Sequence, residues 1–398
     1  MLNIEQPGQY KIAIHHLGFR PMFLVATLFS VVSVLIWFWL YHFDVRHLLH
    51  SSLDATTWHA HEMIFGYTLG VIAGFLLTAV RNWTNIQTVH GTPLILLALL
   101  WLTARVLPFF HFSDALFYMA FSDLSFNIFF LIAITIPVIK SRSWGQLGIL
   151  VIVLLLGIMN GIFYLGLLDQ DTGGMQTGRN AGLYLCVLLV MIMARRVIPF
   201  FIEKGVDVDV SIRNRNWLDI SSIVLMLMFI LFDVFLQLIN WAVICASILF
   251  ILQLIRLYDW HTPGIWKKPL LWSLYLAYAF LTLGFLYKAM ASTLLINPML
   301  STHAFAYGGI GLVTLSMMSR VTLGHTGRNV FQPPASLQWL FLVFVIGVAS
   351  RVILPLFLSE HYSILIGISQ LLWVIAFSGF LLVFVRMWIL PRVDGRFG

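Results

Sequence analysis

Apolar windows of about 20 residues recur from one end of this chain to the other, each long enough to cross the roughly 30 Å hydrocarbon core of a bilayer. That recurrence leaves few folds open. In lipid the backbone N–H and C=O groups find no water and must bond within their own segment, so runs of this length form helices. Twelve spans are expected, at 21–43, 60–80, 92–110, 115–139, 146–168, 181–202, 217–236, 238–257, 269–290, 303–321, 337–358 and 363–390. Gln237 and Asn240 must then form a very tight turn between the seventh and eighth. The expected architecture is an all-α polytopic membrane protein: a cytoplasmic segment 1–20, a single twelve-helix transmembrane domain 21–390 and a cytoplasmic tail 391–398.

Composition agrees. The chain is 60% hydrophobic and 10% charged, against about 25% charged in soluble domains. Its net charge of +7 does not imply a nucleic-acid partner, because the positive residues are sorted by side. Of the 23 lysines and arginines only Arg46 and Arg179 fall in outer loops. Arg105, Arg195, Arg196, Lys288 and Arg351 lie within spans, and the rest gather on one side. Cytoplasmic loops carry such an excess, so both termini are expected inside, with the lipid bilayer as the partner. The first twenty residues are mixed and polar, so no cleavable signal is expected and the first span serves as its own insertion signal. Cys186 and Cys245 stand alone in mid-span, and no CxxCH or CxxC occurs for covalent haem, zinc or thiol chemistry.

Loops are short. The polar stretches are 203–216 inside, and 46–58 and 169–180 outside; DQDTGGMQTGR (169–179) reads as a flexible Gly/Thr loop, and QPP at 332–334 stops any helix before the eleventh span. One internal echo is visible. Span two begins with histidine and is followed by a span closing in ARVLPFF (104–110). Span ten begins at His303 and is followed by one closing in SRVILPLF (350–357). A duplicated transporter of six plus six spans would instead match span two with span eight.

The candidate chemistry lies in WHAHEMIFGY, residues 58–67. On a helix, His59 and His61 point about 200° apart, whereas two ligands of one metal want a spacing of three or four. They therefore serve two centres, or His59 precedes the helix proper. His59 shares its face with Met63, Gly66, Gly70 and Gly74, which makes either a close helix–helix contact or room for a flat macrocycle. His303 begins its span at a similar depth, and imidazoles from separate helices at one depth can hold haem iron or copper; the alternative is headgroup hydrogen bonding. His325, in TLGHTGR (322–328), lies on the inner side and forms a second site or binds an anionic group with Arg320 and Arg328. His42, His47, His50, His111 and His361 read as solvated. Arg105 and Arg351 either snorkel or neutralise the propionates of a haem, and Arg195 and Arg196 do the same near His325. Glu62 is placed to orient an imidazole. Asp123 and Asp233 hint at polar pockets within the spans.

Trp58–Thr84 resembles the signature of the NnrS family, as do GFRPMF (18–23), RVIPFF (196–201) and HAFAYGGIGLVTLSMMSRVTLGHTGR (303–328). The resemblance covers nearly the whole chain. It implies a twelve-helix protein of the bacterial cytoplasmic membrane that holds copper and haem, the haem non-covalent and of b type. It also implies a part in nitric oxide tolerance, with nitric oxide as the small ligand and an electron donor as a further partner. The family's histidines map onto His59, His61, His303 and His325. The chain departs from the pattern at Arg81, where proline is usual, and at Ala194–Arg195, where glycine is. Three other roles stay open: a redox enzyme turning over nitric oxide, a transporter of haem, metal or a small solute, and a sensor without chemistry.

Overall fold

The computed structural model describes residues 11–43, 45, 48–50, 53–291 and 296–398. Arg46 and His47, two of the outer-loop residues above, lie outside them. The described residues form helices joined by loops, with no strand among them. Eleven helices among the described residues are long and apolar enough to span a bilayer: α1 Phe19–His42, α2 Ala55–Thr84, α3 Thr92–Phe109, α4 Ala115–Lys140, α5 Trp144–Leu168, α6 Thr172–Gly205, α7 Asn216–Phe235, α8 Ile239–Trp260, α9 Pro269–Ala291, α11 Ser336–Leu356 and α12 Ser359–Ile389. The twelfth, α10, runs through Pro298–His303, Ala304–Gly311 and Leu312–His325. Its Gly308, Gly309, Gly311, Ser316, Ser319 and Arg320 make it less apolar than the others. The twelve expected spans thus correspond one to one with twelve helices.

Local chemistry sets the ends. The Asp54 carboxylate accepts from the N–H groups of Thr56 and Thr57 to start α2, and Asn297 caps α10 through Met299; each cap satisfies donors that the first helical turn leaves unbonded. Asn85 ends α2 in the left-handed region. The tight turn between α7 and α8 is present, with Gln237 at φ 53°. One expectation needs correction: 169–180 is no flexible loop, since α6 begins at Thr172. The Asp171 carboxylate accepts from Gly173 and Gly174 N–H at 2.9 and 3.0 Å and so caps the helix. The glycines there allow close packing: an added Cβ at Gly178 would stand 2.5 Å from the Met159 carbonyl on α5.

Four helices contain a π-type segment, where hydrogen bonds run from i to i+5: Glu62–Thr68 in α2, Leu231–Phe235 in α7, Ala304–Gly311 in α10 and Ala349–Ile353 in α11. The chain divides into two compact units. The first comprises residues 1–182, 318–330 and 377–398; the second comprises 183–317 and 331–376.

Candidate functional site

In the first unit, the turn from regular helix to π segment in α2 falls at His61–Glu62. The Thr68 hydroxyl donates to the Met63 carbonyl at 2.7 Å, five residues back. This places the two side chains inside the bundle, where both are fully buried. Arg105 of α3 meets the Glu62 carboxylate at 3.0 Å and the Asp123 carboxylate of α4 at 2.7 Å. From α5, Asn160 Nδ2 and the Tyr164 hydroxyl each donate to Asp123 Oδ2 at 3.0 Å. The His61 ring lies among them, with Nδ1 3.1 Å from Glu62 Oε1 and Nε2 3.0 Å from Asn160 Oδ1.

Asn160 spends its N–H on Asp123, so its oxygen faces His61, and Glu62 can only accept as a carboxylate. Both His61 nitrogens thus face side-chain oxygens. The Glu62 and Asp123 carboxylates share the Arg105 guanidinium and enclose the His61 ring. Pairing of opposite charges is what allows ionisable groups to stay buried in a membrane. As placed, the His61 ring packs between Glu62 and Asn160. Arg105 does not snorkel; it is buried between the Glu62 and Asp123 carboxylates.

His59 points elsewhere. It is half-buried and stacked on Trp37 of α1, ring centroids 4.4 Å apart and planes at 3°. Met63 Sδ lies 3.9 Å from the Ser33 hydroxyl, also of α1. An imidazole and a thioether four residues apart thus share one edge of α2, against Ser33 and Trp37, themselves four apart. The glycines of that helix hold side chains. An added Cβ at Gly66 would stand 2.5 Å from Arg105 Nη1, at Gly70 3.2 Å from the Trp101 ring, and at Gly74 2.8 Å from the Phe23 ring. This is the packing of a close helix contact.

His325 also belongs to the first unit. Its ring centroid is 5.8 Å from that of Phe19 and its Nε2 is 3.5 Å from Asn82 Nδ2. Arg392 donates to its carbonyl at 3.0 Å. Arg328 is half-buried, as is Arg320.

In the second unit, His303 Nδ1 donates to the Met299 carbonyl at 2.8 Å, and its Nε2 accepts from Arg351 Nη2 at 3.2 Å. Arg351, nearly buried, also donates to the Tyr362 hydroxyl at 3.0 Å. The His303 lone pair is thus directed at a guanidinium. Lys288 pairs with Asp233 at 2.8 Å, and the Tyr184 hydroxyl donates to the same carboxylate at 2.9 Å. Arg195 and Arg256 share Asp219 at 2.7 and 2.9 Å, while Arg196 is exposed. The sequence reading did not find Asp219, Arg256, Asn160 or Tyr164. Their signal was a polar residue inside an apolar run.

Among the described residues no group of three or more His, Cys, Asp or Glu is arranged to hold a metal ion. His59 and Met63 bring an imidazole and a thioether to one helix edge. A protein-family model described as NnrS protein matches residues 13–392. No curated protein matches the chain.

Proposed function

Since the chain belongs to the NnrS family, membrane proteins related to the nitric oxide response, we propose that it binds a redox metal cofactor, copper or a non-covalent haem, through His59 and Met63. The observation that carries this reading is the shared edge of α2, where an imidazole held flat by Trp37 and a thioether held by Ser33 stand four residues apart. Imidazole with thioether suits copper(I) and also haem iron. When bound, such a metal supplies a site for nitric oxide and a route for one-electron exchange.

The protein's own residues position that edge. Trp37 fixes the ring plane of His59. Glu62 and His61 lie between the two donors in sequence and are locked by Arg105, Asp123 and Asn160, so the π segment bearing Met63 is anchored from behind. Orienting ligands through such neighbours is how metal sites are tuned. Family membership supports a bacterial cytoplasmic membrane location, and the lysine and arginine distribution supports both termini inside; on that reading the His59 edge faces the outer side.

The test is purification from cells supplied with haem and copper, with metal analysis and absorption spectra before and after adding nitric oxide. His59→Ala and Met63→Leu should lose the metal and the nitric oxide response, while His303→Ala keeps both. Wild-type protein with no metal, or the two α2 variants retaining it in full, would overturn the reading.

A further inference from the structure

A second charged cluster lies at the opposite end of α2, within the first unit, and it is not neutral. Arg20, at the start of α1, is 0% exposed. Its Nη1 donates to the carbonyls of Met387, Trp388 and Leu390 at 2.9, 3.0 and 2.7 Å, holding the end of α12. Its Nε and Nη2 are buried without a hydrogen-bond partner. The Arg392 and Arg328 charges bear directly on Arg20, and those of Arg392, Arg81 and Arg20 bear on His325. Arg328 Nη1 is likewise buried without a partner. Arg81 lies over the Phe397 ring, 5.7 Å from its centroid.

Four guanidinium groups thus converge. Among the described residues the one side-chain carboxylate paired with them is Asp394, which takes Arg392 with two bonds, at 2.8 and 2.6 Å. Four guanidinium groups against that one carboxylate leave positive charge in excess. Buried like charges without a counter-ion are strongly unfavourable. The unbonded N–H groups come from two arginines on different segments, Arg20 at the start of α1 and Arg328 just past the end of α10. A planar carboxylate presents two oxygens. A phosphate presents several in different directions, and converging guanidinium groups match it. The cluster sits where α1 and α10 meet loop and where α12 gives way to the tail, at the ends of spans, which is headgroup depth in a bilayer.

We propose that Arg20, Arg328 and Arg392 form a binding site for a phosphate-class anion, either the headgroup of an anionic phospholipid or free phosphate. The ligand supplies the missing negative charge and ties the start of α1 to the ends of α10 and α12. This site is separate from the His59 edge and stands whether or not a metal binds there.

The experiment uses the full chain, purified in phosphate-free detergent buffer. Thermal unfolding is followed with added inorganic phosphate, with chloride at equal ionic strength, and in nanodiscs of phosphatidylglycerol or phosphatidylcholine. Saturable stabilisation by phosphate over chloride assigns free phosphate. Stabilisation by phosphatidylglycerol alone assigns the lipid. Either result must weaken at least tenfold in apparent affinity in Arg328→Gln, chosen because Arg20→Met removes the hydrogen bonds to α12 and endangers folding. No stabilisation by either ligand, or an unchanged response in Arg328→Gln and Arg392→Gln, overturns the proposal. So does loss of a haem absorption band in these variants without any phosphate effect, because the arginines would then serve carboxylates of a cofactor.

Discussion

At the scale of single residues, Arg105 carries the most weight. It is the shared partner of two carboxylates, so removing it leaves both uncompensated. Arg105→Met is expected to cost about 3–5 kcal/mol of stability, read as a lowered unfolding midpoint in detergent. Adding Glu62→Gln to it should cost less than the two single changes summed, because they act on one network; strict additivity would show that the pairs do not couple. His16 makes a pH prediction. Burial, with the His15 and Arg20 charges nearby, pushes its pKa down from 6.5 to about 4. His90 also faces it, and Phe397 stacks on it at 4.4 Å. Between these values the unfolded chain takes up a proton that the folded ring refuses, so stability should fall as pH drops from 6.5 towards 4. His16→Gln should flatten that slope. The sequence singled out Glu62, Arg105 and Asp123 as costly within a membrane but did not join them. Asn160 lies 99 residues from His61, and no local pattern announces a contact across that distance. That the intramembrane charges must cancel was the one clue available.

At the scale of elements, the π segments explain where the helical-wheel reading of α2 needs revision. A fixed 100° per residue put Gly66 on the His59 face. With i to i+5 bonding from Glu62 to Thr68, Gly66 instead abuts Arg105 and Glu62. Gly66→Ala should therefore disturb the ion pair and cost about 1–3 kcal/mol through overpacking. Gly148→Ala, on α5 with nothing within 4 Å, should be neutral or gain up to about 1 kcal/mol from helix propensity. Equal unfolding midpoints for the two variants would contradict this account. The echo between spans two and ten also gains physical content. In each unit a histidine borders a π segment, and the arginine that precedes a Leu-Pro turn, Arg105 or Arg351, reaches that place: Glu62 beside His61 in one unit, His303 itself in the other. Repetition of short motifs was readable; the bonding that gives it meaning was not.

At the scale of the whole molecule, hydropathy made the fold class and the number of helices legible, because lipid forces every span to satisfy its own backbone. The Asp171 cap escaped that reading, since a Gly-rich polar stretch looks like a loop until its packing partner on α5 is known. The lysine and arginine distribution predicts sidedness, which reporter fusions check: a protein fluorescent only in the cytoplasm should be bright when inserted near residue 210 and dark near residue 113. The buried cluster of the first unit bears on biogenesis as well. Its ionised groups reach the membrane on successive helices as synthesis proceeds: Glu62 with His61, then Arg105, then Asp123, with Asn160 and Tyr164 last. A nascent chain that has delivered α4 but not α5 holds Asp123 and His61 without their amide and phenol partners. The insertion machinery must keep α2 to α4 sheltered until α5 emerges, so truncations ending between residues 140 and 168 should be degraded faster than those ending after α5.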